Sequence, residues 1–291
     1  MINTFLKEYK SLIDKNIDKY FPDINTEFSK VVEASRYSLL LGGKRIRPII
    51  MLEFAKLFGG NREEVMPFAV ALEMIHTYSL IHDDLPCMDN DDMRRGNPSC
   101  HIKYGEDIAL LAGDTLLTES FNVALKSTAD SEKKLKALSV LSKRAGLFGM
   151  IGGQVMDLDF EINKPQEPAL RTMYLRKTGA LLSAAAEIGA VLSQASDEEV
   201  QISANYALNV GLAFQIIDDI LDIIGNPEIL GKPIGSDNEN DKTTLVALLG
   251  IEKSRELAFE LTNEAKGLLG MLRGDKENLL SITDYLLDRK Y

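Results

Sequence analysis

The amino-acid sequence predicts an all-α fold, one large bundle of helices, on three observations. Apolar residues recur at helical spacing over most of the 291 residues. Two pairs, Asn61 with Glu64 and Ser196 with Glu199, have the spacing of capping boxes that open helices. No segment alternates apolar and polar residues and then supplies hairpin turn residues. The composition, 45% hydrophobic and 26% charged, is that of a folded globular chain. No Pro- or Gly-rich linker divides it, so residues 1–291 are read as a single domain.

The elements follow in order. Phe5, Leu6, Tyr9, Leu12, Ile13 and Ile17 draw one amphipathic face. A largely apolar helix over 65–81 follows the Asn61 cap. The stretch 179–196 is the most membrane-like, but Glu187 and its many Ala, Gly and Ser residues suit a tightly packed inner helix better than a bilayer span. After the Ser196 cap, 200–224 runs about seven turns without proline. Helices over 251–272 and 277–289 complete the list. Two polar segments interrupt it, 86–100 and 225–242, and loops of that length in a compact domain are usually functional or disordered.

Charge and cysteines restrict the function. The formal net charge of −11 opposes phosphate backbones and anionic lipid, so neither nucleic acid nor a membrane is an expected partner. Cys87 and Cys100 form no CxxC and read as reduced thiols, which points to the cytoplasm. The first ten residues carry Lys7, Glu8 and Lys10 and lack the apolar core of a signal peptide.

Three polar constellations remain. In the first, Asp83 and Asp84 end the apolar helix and Asp89 follows in a loop that Pro86 starts. Carboxylates at the negative end of a helix dipole repel one another and call for a cation. With oxygen donors only, the expected ion is Mg²⁺, which keeps waters and recruits substrate phosphates. In the second, Asp218 and Asp222 lie one turn apart, with Asp219 between them, in an otherwise apolar helix. Di-iron bundles also face carboxylates across a bundle, but they need Glu-x-x-His pairs, and the His residues here, 76, 82 and 101, make none. The third is basic. Lys44 and Arg47 follow Gly42-Gly43, Arg94 and Arg95 follow the first acidic loop, and Lys177, Lys232 and Lys242 lie further on. In an acidic protein these imply sites for two anions, one held directly and one through metal. His76 lies two turns before Asp83 on the same helical face.

Taken together, these residues resemble the trans-isoprenyl diphosphate synthases, most closely the bacterial farnesyl diphosphate synthases. The segment 42–48 is similar to the family's GGKRxRP element. Asp83 to Asp89 is similar to the bacterial form of the first aspartate-rich motif, and Asp218 to Asp222 to the second. Lys177-Thr178, Phe214-Gln215 and Gly231-Lys232-Pro233 also match.

The resemblance implies a helical bundle around a deep central cavity (the isoprenoid synthase fold), usually a homodimer, working with three Mg²⁺. It assigns Asp83, Asp84, Asp89, Asp218, Asp219 and Asp222 to the metals. Lys44, Arg47, His76 and Arg95 would hold isopentenyl diphosphate. Arg94, Lys177, Thr178, Gln215, Lys232 and Lys242 would serve the allylic diphosphate, dimethylallyl or geranyl. Thr178 and Gln215 would also turn their dipoles toward the developing carbocation. Catalysis would be electrostatic, with the allylic cation attacked by the double bond of isopentenyl diphosphate and the 225–242 loop excluding water. Tyr78 and Ser79, five and four residues before Asp83, would limit chain length, and an aromatic residue there goes with the fifteen-carbon farnesyl product. The alternatives are a geranylgeranyl diphosphate synthase of the same family and a non-catalytic prenyl-diphosphate-binding subunit.

Overall fold

A computed structural model describes residues 2–224 and 243–287. The helices are α1 (Ile2–Tyr20), α2 (Ser29–Leu40), α3 (Ile46–Leu57), α4 (Arg62–Asp83), α5 (Cys100–Tyr104), α6 (Glu106–Leu125), α7 (Ser131–Ala145), α8 (Met150–Ile162) and α9 (Glu167–Tyr174). A single π-helical turn, Leu175–Gly179, joins α9 to α10 (Ala180–Val191). Then come α11 (Asp197–Ile224), α12 (Leu245–Leu249), α13 (Ile251–Met271) and α14 (Glu277–Leu287). The fold is all-α, as the periodicity predicts.

Local signals account for the boundaries. Ser196 and Glu199 form a reciprocal capping box, with Ser196 N donating to Glu199 Oε2 at 2.8 Å and Glu199 N to Ser196 Oγ at 3.2 Å. The Asn61 cap is only half a box: its side chain accepts from Glu63 N at 3.0 Å, while Glu64 takes the Asn61 amide rather than its backbone N–H. The one strand pairing among the described residues lies in the first acidic loop, where β1 (Met93–Arg94) pairs antiparallel with β2 (Asn97–Pro98). The expectation of a plain loop over 86–100 is corrected here. Arg95 (φ 54°) and Gly96 (φ 76°) supply the two positive-φ positions of a tight hairpin turn, a signal too short to register as alternation.

Helices α3, α4 and α10 bury residues around most of their circumference and form the interior. A second, smaller apolar cluster joins Leu170, Met173 and Tyr174 of α9 to Ile216 and Ile220 of α11, Leu245 of α12 and Leu261 of α13. The π turn is pressed between α8 and α11. A Cβ on Gly153 would meet Lys177 N at 2.2 Å, and one on Gly211 would meet Gly179 Cα at 2.7 Å. Only bare glycine backbone admits this approach, and it carries Lys177 and Thr178 to their partners. Among the described residues the helix long and apolar enough to cross a membrane is α6, not the 179–196 stretch; α6 packs against α2, α4 and α5.

Candidate active site

The 42–48 segment enters α3 through Arg45, whose backbone is left-handed (φ 53°) and whose side chain is fully buried. Its guanidinium donates to Asp14 at 2.9 Å, to Glu73 at 2.8 Å and to the Leu39 carbonyl at 2.7 Å. These three anchors tie α1, α2 and α4 to the start of α3. They over-determine an unfavourable conformation, which is how such strain persists near functional sites.

This anchor sets out a cavity of about 350 Å³ lined by Lys44, Arg47, Glu73, His76, Arg95 and Thr178, with Leu182, Phe214 and Leu286 as part of its apolar wall. All four residues expected at one anion site, Lys44, Arg47, His76 and Arg95, therefore face one cavity. The Arg47 Nε is buried without a hydrogen-bond partner. Burial, and then the Arg95 charge, pull the Arg47 pKa down against Glu73. His76 is held well below its ordinary value by burial and by the charges of Arg47, Arg95, Arg45 and Arg94, so its imidazole is neutral near pH 7. Lys44 is exposed, its ammonium 5.1 Å from the Tyr285 ring centroid. Arg95 donates to the Gly42 carbonyl, and a Cβ on Gly43 would strike its guanidinium at 2.8 Å. Arg47 and Arg95, both desolvated, share a cavity with a single carboxylate, Glu73, and such an under-neutralised pair is a site waiting for an anion.

The carboxylates are arranged differently. Asp89 folds back as the sequence predicts, its N–H donating to the Asp83 carbonyl at 2.9 Å. Burial pushes the Asp83 carboxyl up to about 6; Lys177 opposes this and Asp89 reinforces it. Gln154 of α8 donates to Asp83 Oδ1 at 2.6 Å. Asp84 is buried and takes Arg94 on both carboxylate oxygens, while Arg94 also reaches Asp91 at 3.1 Å. Lys177 bridges to Asp157 of α8 at 2.6 Å. Thr178 Oγ1 donates to Gln215 Oε1 at 3.0 Å, and Gln215 Nε2 donates to Asp219 Oδ1 at 3.1 Å. Asp218 is half-buried and Asp222 buried, both on α11. Contacts thus run from Asp83 through α8 and the π turn to the second acidic motif.

Tyr78 is buried in the core beside the first motif, its ring centroid 5.7 Å from that of His82 and its hydroxyl without a partner. Ser79 spends its hydroxyl on the His76 carbonyl at 2.8 Å. Lys232, Lys242 and the loop 225–242 lie outside the described residues. Four polar residues of this region are not singled out by the sequence reading: Arg45, Glu73, Gln154 and Asp157. A signal existed for Glu73, a lone charge in the apolar 65–81 run, three residues before His76.

All-oxygen donors in desolvated, mutually repelling pairs fit a hard divalent cation. Among the described residues, however, no three His, Cys, Asp or Glu side chains are grouped closely enough to hold a metal. The donor set suits an ion that takes further oxygens from water and ligand.

Comparison with known proteins agrees with this chemistry. The family described as polyprenyl synthetase matches residues 29–273. A farnesyl diphosphate synthase of Bacillus subtilis (strain 168) is 40% identical over 293 residues, covering 100% of this chain and 99% of its own. A geranylgeranyl diphosphate synthase of Cyanophora paradoxa is 43% identical over 289 residues, covering 98% and 96%. A crystal structure of a geranyltransferase from Helicobacter pylori, complexed with magnesium and isoprenyl diphosphate, superposes with a TM-score of 0.85. It is 32% identical, over 98% of this chain and 96% of that one.

Proposed function

The chain belongs to the polyprenyl synthetase family and is a trans-prenyl diphosphate synthase, and from that premise we propose that it joins isopentenyl diphosphate to dimethylallyl and then geranyl diphosphate, stopping at farnesyl diphosphate. The observation that carries the reading is the cavity in which Lys44, Arg47, His76 and Arg95 converge beside Thr178. There the diphosphate of isopentenyl diphosphate is held directly, by two guanidiniums, an ammonium and a neutral imidazole able to donate one hydrogen bond. Asp83, Asp89 and Asp218 would hold three magnesium ions, which supply Lewis-acid stabilisation of the departing allylic diphosphate. Arg94 and Lys177, now paired to Asp84 and Asp157, would turn to that diphosphate when it arrives. Thr178 Oγ1 and Gln215 Oε1 offer oxygen dipoles to the allylic cation. The double bond of isopentenyl diphosphate, fixed by its own site, attacks that cation, and the released diphosphate takes the departing proton.

Farnesyl is favoured over geranylgeranyl by Tyr78. Its ring fills core space five residues before Asp83, about 7.5 Å along the helix axis. Phenylalanine would fill the same space without stranding a hydroxyl. Tyr78→Ala is expected to let longer products accumulate with the first condensation kept, as read by chromatography of the dephosphorylated products. A variant that still stops at farnesol would show that Tyr78 is not the floor of the cavity and remove this support. Diphosphate release with and without isopentenyl diphosphate separates transfer from hydrolysis. A homodimer is part of the same proposal, since Leu110, Leu111 and Leu125 of α6 and Leu147 and Phe148 beside α7 are exposed.

A further inference from the structure

Asp219 belongs to the second acidic motif, yet it is only 4% exposed and its two oxygens serve different helices. Tyr174 Oη, at the end of α9, donates to Asp219 Oδ2 at 2.5 Å, and Gln215 Nε2 donates to Oδ1 at 3.1 Å. Gln215 in turn accepts from Thr178 Oγ1 at 3.0 Å. At the other end, Tyr174 Oη accepts from the Leu245 backbone N–H at 3.4 Å. The direction of every proton in this chain is forced. A carboxylate only accepts, so the Gln215 NH₂ must face Asp219, and its carbonyl end must then face Thr178 and the cavity.

Tyr174 is a rigid hold on the carboxylate that Gln215 also grips, because its ring is itself buried in the apolar cluster with Leu170, Ile216 and Leu245. Buried polar networks of this kind rigidify when every member is satisfied and loosen when one donor is lost.

We propose that Tyr174 is a positioning residue: its hydrogen bond to Asp219 locks that carboxylate against Gln215 and so fixes Gln215 Oε1 and Thr178 Oγ1 in the orientation used at the cationic centre. The proposal rests on the reading above, that these two groups serve the allylic cation. Tyr174→Phe keeps the ring in the cluster and deletes only the hydroxyl, which also leaves the Leu245 N–H without that acceptor, so stability is read beside the kinetics.

The test is a double-mutant cycle of Tyr174→Phe and Gln215→Ala, assayed with dimethylallyl and isopentenyl diphosphate, with the melting temperature of each variant measured alongside. Tyr174→Phe should lower kcat about tenfold, roughly 1.4 kcal/mol of barrier. KM for isopentenyl diphosphate should stay within about twofold, because Lys44, Arg47, His76 and Arg95 are untouched. In the Gln215→Ala background the same substitution should add less than about a twofold loss, since its target is gone. A full second tenfold loss there, or a KM for isopentenyl diphosphate rising in step with the fall in kcat, makes Tyr174 a packing residue and overturns the proposal alone. Wild-type kcat in Gln215→Ala overturns the reading beneath it, and the proposal with it.

Discussion

Around the 42–48 segment, Lys44, Arg47 and Arg95 face a cavity whose lining includes one carboxylate, Glu73. Along α4, α8 and the π turn, by contrast, Arg94 is already matched to Asp84 and Lys177 to Asp157. The basic region keeps its charges unmet and rigidly placed by the buried Arg45 anchor. The acidic region occupies its own cations, Arg94 and Lys177, which must be released before they can meet a ligand. A preformed site pays its electrostatic strain in folding, whereas a self-paired site defers it until a ligand arrives. The two anions of the proposed reaction should therefore bind by different rules.

The largest effect should come from breaking the acidic side. Asp83→Ala and Asp218→Ala should each take turnover below about a tenth of wild type at saturating Mg²⁺, at least 1.4 kcal/mol of barrier, with the circular dichroism of the helices unchanged. Removing a carboxylate from a repelling cluster relieves the fold while disabling the site. A variant above that tenth would detach the acidic motifs from the chemistry.

Arg47→Ala should come next, and on one substrate only. Its loss removes a charge-assisted contact worth about 1.5–3 kcal/mol, so KM for isopentenyl diphosphate should rise by roughly ten- to a hundredfold with KM for the allylic substrate little moved. Equal changes in both constants would merge the two regions that the structure separates.

A stability measurement sharpens the comparison from the other side. The Asp83 carboxyl is raised to about 6 from an ordinary 3.8, chiefly by burial. Between those values the folded state holds a proton the unfolded state has released, so stability falls as pH rises through that window. Asp83→Asn should therefore stabilise the metal-free protein at pH 8 by on the order of 2–3 kcal/mol, with the difference closing near pH 4. Melting curves in chelator at both pH values read this directly, and an asparagine variant no more stable at pH 8 would show that burying the Asp83 charge costs the fold nothing.

The smallest expected effect belongs to Gly43→Ala. The added methyl meets the Arg95 guanidinium and the backbone is at φ 104°, so KM for isopentenyl diphosphate should rise a few-fold with kcat kept. A silent substitution would mean that Arg95 finds its place without the glycine.

Much of this was legible in the sequence because it is local. The acidic pairs sit at i, i+1 and i, i+4, the Ser196 box spans one turn, and Asp89 needs only a loop to return to Asp83. What escaped reading is non-local. Gln154 and Asp157 look like ordinary polar positions of α8 until Gly153 brings that helix against Lys177. Arg45 reads as one more cation of a basic run, although it is the residue that run uses as an anchor. Tyr174 has the spacing of any core aromatic, and its hydroxyl gains meaning only across 45 residues, at Asp219.

The most direct test of the central claim is calorimetric. Isopentenyl diphosphate and an unreactive thiolo analogue of geranyl diphosphate would each be titrated into the protein, once in chelator and once in Mg²⁺. A preformed basic cavity predicts that isopentenyl diphosphate binds in chelator with a Kd within about threefold of its value in Mg²⁺, a difference near 0.65 kcal/mol, and that Arg47→Ala abolishes this binding. The allylic analogue should bind only when Mg²⁺ is present. If isopentenyl diphosphate also needs the metal, or the analogue binds equally well in chelator, the division between a waiting basic site and a metal-assembled acidic one is wrong.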